Sequence, residues 1–69
     1  MKEFKIIGDY IELMALLKST GIASTGGHAK QIVDEHLVRR NGVLETRRRA
    51  KIVSGDEIQI NGQLIIKTI

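Results

Sequence analysis

The 69-residue chain contains no cysteine, no proline and no tryptophan, and only one phenylalanine and one tyrosine. Without cysteine, disulfide bridges and thiolate metal sites are excluded, and a reducing compartment is expected. No apolar run approaches the ~20 residues of a membrane span, and the first ten residues lack the apolar core of a signal peptide. We therefore expect a soluble, cytoplasmic protein that forms a single domain over residues 1–69 and has no membrane partner.

Metal-binding and catalytic side chains are also scarce. The two histidines, His28 and His36, lie eight residues apart without an H-x-x-x-H pair, so no metal site is expected. Ser24, His28 and Asp34 are residue types of nucleophilic triads, but their spacing places Ser24 in a link and Asp34 on an exposed helical turn. We predict that the protein is not an enzyme, needs no cofactor and takes no small-molecule substrate.

Two helices are predicted in the first half of the chain. Asp9 and Glu12 form a predicted capping pair for the first helix, and Gly21 is its expected C-terminal cap. Thr25 is the expected N-cap of the second helix. The apolar face of that helix follows at helical spacing, with His36 as a partly buried cap at its end: Ala29, Ile32, Val33 and His36.

Beyond the second helix the hydrophobic period changes to two, which is typical of strands. Asn41-Gly42 predicts a two-residue hairpin turn, and Asn61-Gly62 predicts a further turn before a C-terminal strand. Residues 51–53 and 57–60 are expected to pair across a polar turn, and residues 4–7 to form an edge strand. The pattern predicts an α+β fold with two helices packed on one face of a small, mainly antiparallel sheet.

Positive charge is concentrated in the second half of the chain. The net charge is +3, but six of the eleven lysines and arginines fall within thirteen residues, opposed there only by Glu45: Arg39, Arg40, Arg47, Arg48, Arg49 and Lys51. If the segment is extended, Arg47, Arg49 and Lys51 share one face, while Arg48 points with the apolar residues. Arginine suits phosphate oxygens, so this face predicts phosphate binding. A solvated, solubilising loop is the alternative.

The stretch STGGHAK, Ser24 to Lys30, places Gly26 and Gly27 at the start of the second helix. Glycine costs roughly 1 kcal/mol relative to alanine in a helix, so the pair requires a reason. The first N–H groups of a helix have no internal partners and attract anions, and glycine lets an anion come close. Lys30 lies one turn further on the same face. The alternative is that the glycines only permit a tight link between packed helices.

The shortage of aromatic side chains indicates which nucleic acid could be bound. Single-strand binders need several exposed rings, and this chain has only Phe4 and Tyr10. A nucleic acid would be held through phosphates, 2′-hydroxyls and shape, which favours folded RNA. A protein-interaction module whose basic loop meets an acidic partner, on the ribosome or an enzyme, stays open. A DNA-binding helix-turn-helix is a weaker alternative, because glycines at the helix start present no base-reading side chains.

Four segments together resemble the alpha-L RNA-binding motif, the domain named after ribosomal small-subunit protein S-four: LLKSTGIA, STGGHAKQIV, RRNG and ETRRRAKIVSGDEI. The pieces TGG-x-AK, NG, ETRR and K-x-x-x-GD are similar to those of short stand-alone bacterial members, over roughly Tyr10 to Ile60. The chain departs from the family pattern at His36, where glycine is usual, and at Arg40, where an apolar residue is usual.

The resemblance implies a ribosome-associated, monomeric RNA-binding protein whose helices and hairpin form one L-shaped surface on ribosomal or transfer RNA. In related domains the start of the second helix contacts the RNA backbone, so the resemblance implies the same contact here. The predicted RNA-binding residues combine that helix start with the basic segment: Thr25, Gly26, Gly27, His28, Lys30, Gln31, Arg39, Arg47, Arg48, Arg49 and Lys51.

Overall fold

The computed structural model describes residues 2–69, and these residues form two helices and seven short strands. In chain order the elements are β1 (Lys2–Phe4), β2 (Ile11–Glu12), α1 (Leu13–Ser19), α2 (Gly26–Asp34), β3 (Val38–Arg40), β4 (Val43–Leu44), β5 (Lys51–Ile52), β6 (Glu57–Ile60) and β7 (Leu64–Thr68). Neither helix in this part of the chain is long and apolar enough to cross a membrane.

Five of the strands form one sheet in the order β1-β7-β6-β3-β4, and β2 and β5 form a separate two-stranded ladder. Every neighbouring pair is antiparallel except β1 with β7. Both helices bury apolar side chains in the same core as the inward-facing side chains of the strands. The predicted α+β architecture is therefore confirmed. The core residues are Ile6, Leu13, Leu16, Leu17, Ala23, Ala29, Ile32, Val33, Val38, Ala50, Ile52, Ile58, Ile60 and Ile66.

Both predicted Asn-Gly turns are confirmed by their backbone angles. Asn41 and Gly42 have φ of 52° and 84° between β3 and β4, and Asn61 and Gly62 have φ of 52° and 67° between β6 and β7. Arg40 pairs with Val43 across the first turn, which is a two-residue hairpin turn with positive φ at both central residues, whereas Ile60 pairs with Leu64 and leaves residues 61–63 in the second loop. The turns fix the register that places Val38 on the core face of β3.

Helix α2 begins at its predicted cap and ends in a left-handed residue. Thr25 is the N-cap, and its Oγ1 accepts the His28 N–H at 3.0 Å. At the other end, Leu37 N–H donates to Ile32 O and His36 N–H donates to Val33 O, while His36 has φ of 60°. This is a Schellman motif with histidine where glycine is favoured. His36 is exposed, so its predicted partial burial on the apolar face is wrong.

The predicted capping pair of the first helix is wrong. Helix α1 starts only at Leu13, and the side chain of its N-cap, Glu12, makes no capping hydrogen bond. The first helical N–H groups instead donate to distant backbone carbonyls, Leu13 N to Ala50 O at 2.9 Å and Met14 N to Arg48 O at 3.3 Å. A tertiary contact therefore satisfies the groups that a local cap would otherwise satisfy.

The predicted pairing of residues 51–53 with 57–60 is also wrong. Strand β5 pairs with β2, through Ile11 opposite Ile52, whereas β6 lies between β3 and β7 with both of its edges occupied. The edge strand is confirmed in kind but shifted, because β1 ends at Phe4 and lies parallel to β7. Ile6 instead joins the core as part of the following loop.

Candidate nucleic-acid interface

A concavity of about 390 Å³ opens beside helix α1, and we name it the basic concavity. Four of its five lining residues are cationic and none is acidic: Arg40, Arg47, Arg49, Ala50 and Lys51. The predicted grouping of Arg47, Arg49 and Lys51 is thus observed. The assumed reason is wrong, because Ala50 N–H donates to Arg47 O in a turn and the segment is not an extended strand.

The arginine turn, residues 47–50, is attached to helix α1 by its backbone. The carbonyls of Arg48 and Ala50 accept the first N–H groups of that helix, and Ala50 itself is buried. The positive end of the α1 dipole therefore faces these carbonyl oxygens. The arginine side chains are consequently free to point away from the core while their backbone is fixed.

Arg40 connects the segments that line the basic concavity. Its Nε and Nη2 donate to Asp56 Oδ2 at 3.0 and 2.7 Å, and Nη2 also donates to Lys51 O at 2.7 Å. Its Nη1 lies 3.7 Å from Glu45 Oε1. The guanidinium thereby joins β3 to the chain on both sides of the concavity. Strand alternation places Arg40 on the same inward face as Val38, so the position of its side chain is now defined.

Asp56 is the buried acid that balances Arg40. Its carboxylate also accepts the Val53 N–H and the Asn41 Nδ2 amide, each at 2.9 Å. Burial alone would raise the pKa of Asp56, but the hydrogen bonds from Val53, Asn41 and Arg40 together hold that pKa below its usual value. The carboxylate is therefore ionised at neutral pH and fixes the loop before β6.

Glu45 plays the same part for Arg47. Arg47 donates to the Glu45 carboxylate from Nε, Nη2 and its own backbone N–H, each at 3.1 Å. These side-chain bonds hold the pKa of Glu45 below its usual value, against the opposing effect of its burial. The Arg47 side chain is still 71% exposed, so it faces solvent at the mouth of the concavity.

The Arg48 side chain points away from the basic concavity and contacts helix α2. Its Nε and Nη2 donate to Asp34 Oδ1 and Oδ2 at 2.9 and 2.8 Å, and this hydrogen bonding lowers the pKa of Asp34. Arg48 therefore does not point with Ala50 and Ile52, which are buried, and that prediction is wrong. Helical spacing puts Gly26, Lys30 and Asp34 on one face, so Arg48 connects the concavity to this face of α2.

The start of α2 is preorganised by its own side chains. Thr25 Oγ1 accepts from the His28 N–H, and the His28 ring returns over the cap so that Nδ1 accepts the Ser24 N–H at 3.2 Å. This bond requires the tautomer whose proton is on Nε2. Thr25 and His28 thus hold the helix entry in place, and their hydrogen bonds leave the two amides between them without partners.

Those amides belong to the two glycines. Within residues 2–69, no acceptor is bonded to the N–H of Gly26 or Gly27. A Cβ on Gly26 would meet nothing within 4 Å, and one on Gly27 would meet only Thr25 Oγ1 at 3.9 Å. Neither glycine has a positive φ. Close helix packing therefore does not require glycine at either position.

The other predicted residues are exposed but dispersed. Lys30 and Gln31 are exposed on α2, and Arg49 pairs loosely with Glu12 at 3.4 Å. Arg39 projects from β3 on the face opposite Arg40, so the structure does not bring it into the basic concavity. A group of three or more metal-binding side chains does not occur in the described part of the chain.

Sequence reasoning missed two members of this surface. Arg40 occupies an inward position of a predicted strand, and a cation there demands a buried acid, which the sequence supplies in the Gly55-Asp56 pair. Tyr10 precedes β2, and its ring centroid lies 5.0 Å from Lys51 Nζ. No local pattern indicates that second pair, because it depends on the β2–β5 ladder.

The helices, the sheet and the cationic turn beside them define an alpha-L motif. The solution structure of YbcJ from E. coli, described as revealing an alpha-L motif involved in RNA binding, matches with a TM-score of 0.77 and 33% identity. The match covers 100% of this chain and 87% of that one.

Sequence comparison assigns the family. The S4 domain model matches residues 4–66, and the chain belongs to the S4 domain family. It is 38% identical over 56 residues to YbcJ of Escherichia coli strain K12, whose name describes a candidate RNA-binding protein, and equally to YbcJ of Shigella flexneri. Each alignment covers 81% of this chain and 80% of the relative. The family resemblance drawn from the motifs is confirmed.

Proposed function

We propose that this protein is a non-catalytic module that docks on structured RNA, ribosomal or transfer RNA, as a cytoplasmic, ribosome-associated monomer. The observation that carries the proposal is the basic concavity, where four cationic side chains converge and no acidic side chain lines the wall. Such a surface attracts the phosphate backbone. The description of the YbcJ structure, with its alpha-L motif involved in RNA binding, supports RNA as the partner.

The cations divide into positioning and contacting groups. Arg40 donates its hydrogen bonds to Asp56 and to the Lys51 carbonyl, so it positions the residues that line the concavity. Arg49 is 81% exposed and only loosely paired with Glu12 at 3.4 Å, and Lys51 presents its charge to solvent beside it. Arg47 presents the edge of its guanidinium that Glu45 does not bind. These three side chains are the proposed phosphate contacts of the concavity.

The start of α2 extends the surface. The unpartnered N–H groups of Gly26 and Gly27, with Lys30 one turn further, offer a second place for a phosphate. Thr25 and His28 contribute by holding the helix entry, and Arg48 links this face to the concavity through Asp34. Gln31 and Arg39 flank the surface as peripheral contacts.

Salt titration and matched charge variants test the proposal. With four to six phosphate contacts, affinity for a structured RNA should fall with salt with a log–log slope of roughly −3 to −5. Arg49→Gln with Lys51→Gln should weaken binding at least about tenfold and make the slope shallower by about 2. Arg47 is left in place, because its removal would deprive the buried Glu45 carboxylate of the side-chain hydrogen bonds that Arg47 donates.

The control removes the same charge elsewhere. Lys5→Gln with Lys18→Gln replaces two exposed lysines outside the basic concavity and should change affinity only slightly. Equal losses in the two double variants would show that net charge, not this surface, attracts RNA. Retention of an acidic protein partner in excess folded RNA would instead favour a protein-interaction module.

A further inference from the structure

One exposed aromatic side chain borders the proposed phosphate surface. Tyr10 is 44% exposed, and its ring centroid lies 5.0 Å from the ammonium of Lys51, which lines the basic concavity. The other aromatic residue, Phe4, packs against the core. Tyr10 is therefore the ring that a ligand of this surface would meet.

The β2–β5 ladder fixes the place of that ring. Ile11 pairs with Ile52 and Glu12 with Lys51, and the two isoleucines face the core. Continued by one residue, the same register places Tyr10 opposite Val53, which is 41% exposed. The side chains that alternate with the isoleucines face outward, so an aromatic ring and a valine adjoin the cationic wall.

This combination matches the two parts of a nucleotide. A base presents an apolar π-face that stacks on an aromatic ring, and its phosphate requires a nearby cation. Lys51 Nζ already lies over the Tyr10 ring, 5.0 Å from the ring centroid, and Glu12, the acid in the ladder, lies 3.4 Å from Arg49. A paired base inside a duplex cannot offer its face, whereas a bulged or loop base can.

We propose that Tyr10 and Val53 form a subsite for one unpaired nucleobase, whose adjacent phosphate contacts Lys51. The inference rests on the proposed RNA-binding function and makes its target more specific. The preferred RNA is folded but carries an unpaired nucleotide next to a helical stem. Stacking tolerates any base, so the subsite selects RNA architecture and not sequence.

Two hairpin RNAs that differ by one bulged nucleotide test the inference. Wild-type protein should bind the bulged hairpin more tightly, and Tyr10→Ala should remove roughly 5- to 100-fold of affinity for it while leaving the uninterrupted hairpin unaffected. Tyr10→Phe retains the ring and should keep the preference. A 2-aminopurine at the bulge should change its fluorescence on binding wild-type protein and not on binding Tyr10→Ala.

A second variant guards against a folding effect. Val53→Asp keeps the backbone N–H that binds Asp56 but places a carboxylate beside the base, and it should also reduce the preference. Equal binding of both hairpins by wild-type protein, or an undiminished preference in both variants, would overturn the subsite and leave RNA binding intact. Failure of wild-type protein to bind either hairpin would overturn the proposed function itself.

Discussion

Replacing Gly26 and Gly27 together by alanine should raise stability and lower RNA affinity. Both residues lie in the first turn of α2 without positive φ, and added methyl groups would meet only open space or Thr25 Oγ1 at 3.9 Å. The substitution therefore brings no clash and no backbone strain. It does place two methyl groups between the unpartnered amides and any phosphate approaching them.

The expected gain in stability follows from chain entropy. Alanine stabilises by about 0.4–1 kcal/mol per site where the backbone accepts it. Because first-turn positions gain less than the helix interior, the pair should contribute about 1 kcal/mol. For a domain of this size that raises Tm by roughly 4–8 °C.

Melting curves and RNA titrations on the same protein samples decide the outcome. Ser19→Ala, on an exposed position of the last turn of α1, is the control: it favours helix but lies away from the proposed surface and should leave RNA affinity unchanged. If the glycine variant is less stable, the glycines serve close helix packing and the reasoning from open space is refuted. If it is more stable and binds RNA at full strength, the amides do not hold a phosphate.

Three further outcomes follow from the buried acids and the helix ends. Arg40→Leu should cost about 3 kcal/mol in urea unfolding, because it strands Asp56, and a loss below about 1 kcal/mol would contradict the network. Folding lowers the pKa values of Asp56 and Glu45. Their contribution to the free energy of unfolding is therefore complete above about pH 5 and should decline as the pH falls through 4 and below. Asp56→Asn should make that decline smaller. His36→Gly should raise the free energy of unfolding by about 1 kcal/mol, and Tm with it, because it relieves left-handed strain; an unchanged Tm would show that histidine bears no strain there.

The sequence predicts best where one local interaction decides the structure. Thr25 caps α2 through a residue three positions away, and the Asn41-Gly42 turn depends on two adjacent residues. Such signals act within a few residues of chain, so they survive any tertiary arrangement. The family resemblance was likewise carried by short motifs whose spacing is fixed by these local elements.

Prediction failed where distant segments compete for the same backbone groups. Asp9 and Glu12 look like a cap, but the carbonyls of the arginine turn reach the α1 amides, and Glu12 instead enters a strand ladder. Pairing of β5 with β6 was reasonable from their separation, yet β3 and β7 fill both edges of β6. Arg40 and Arg39 also separate to opposite faces, which the hairpin register decides and composition cannot.

Anchoring the arginine turn through the Arg48 and Ala50 carbonyls has an evolutionary consequence. Carbonyl oxygens are common to every residue type, so the contact with α1 survives almost any exchange of side chain at positions 48 and 49. Substitutions can therefore change the side chains that the turn presents to a ligand without moving its backbone. A designer can therefore vary positions 48 and 49 on a fixed backbone, while Arg47 stays to pair Glu45.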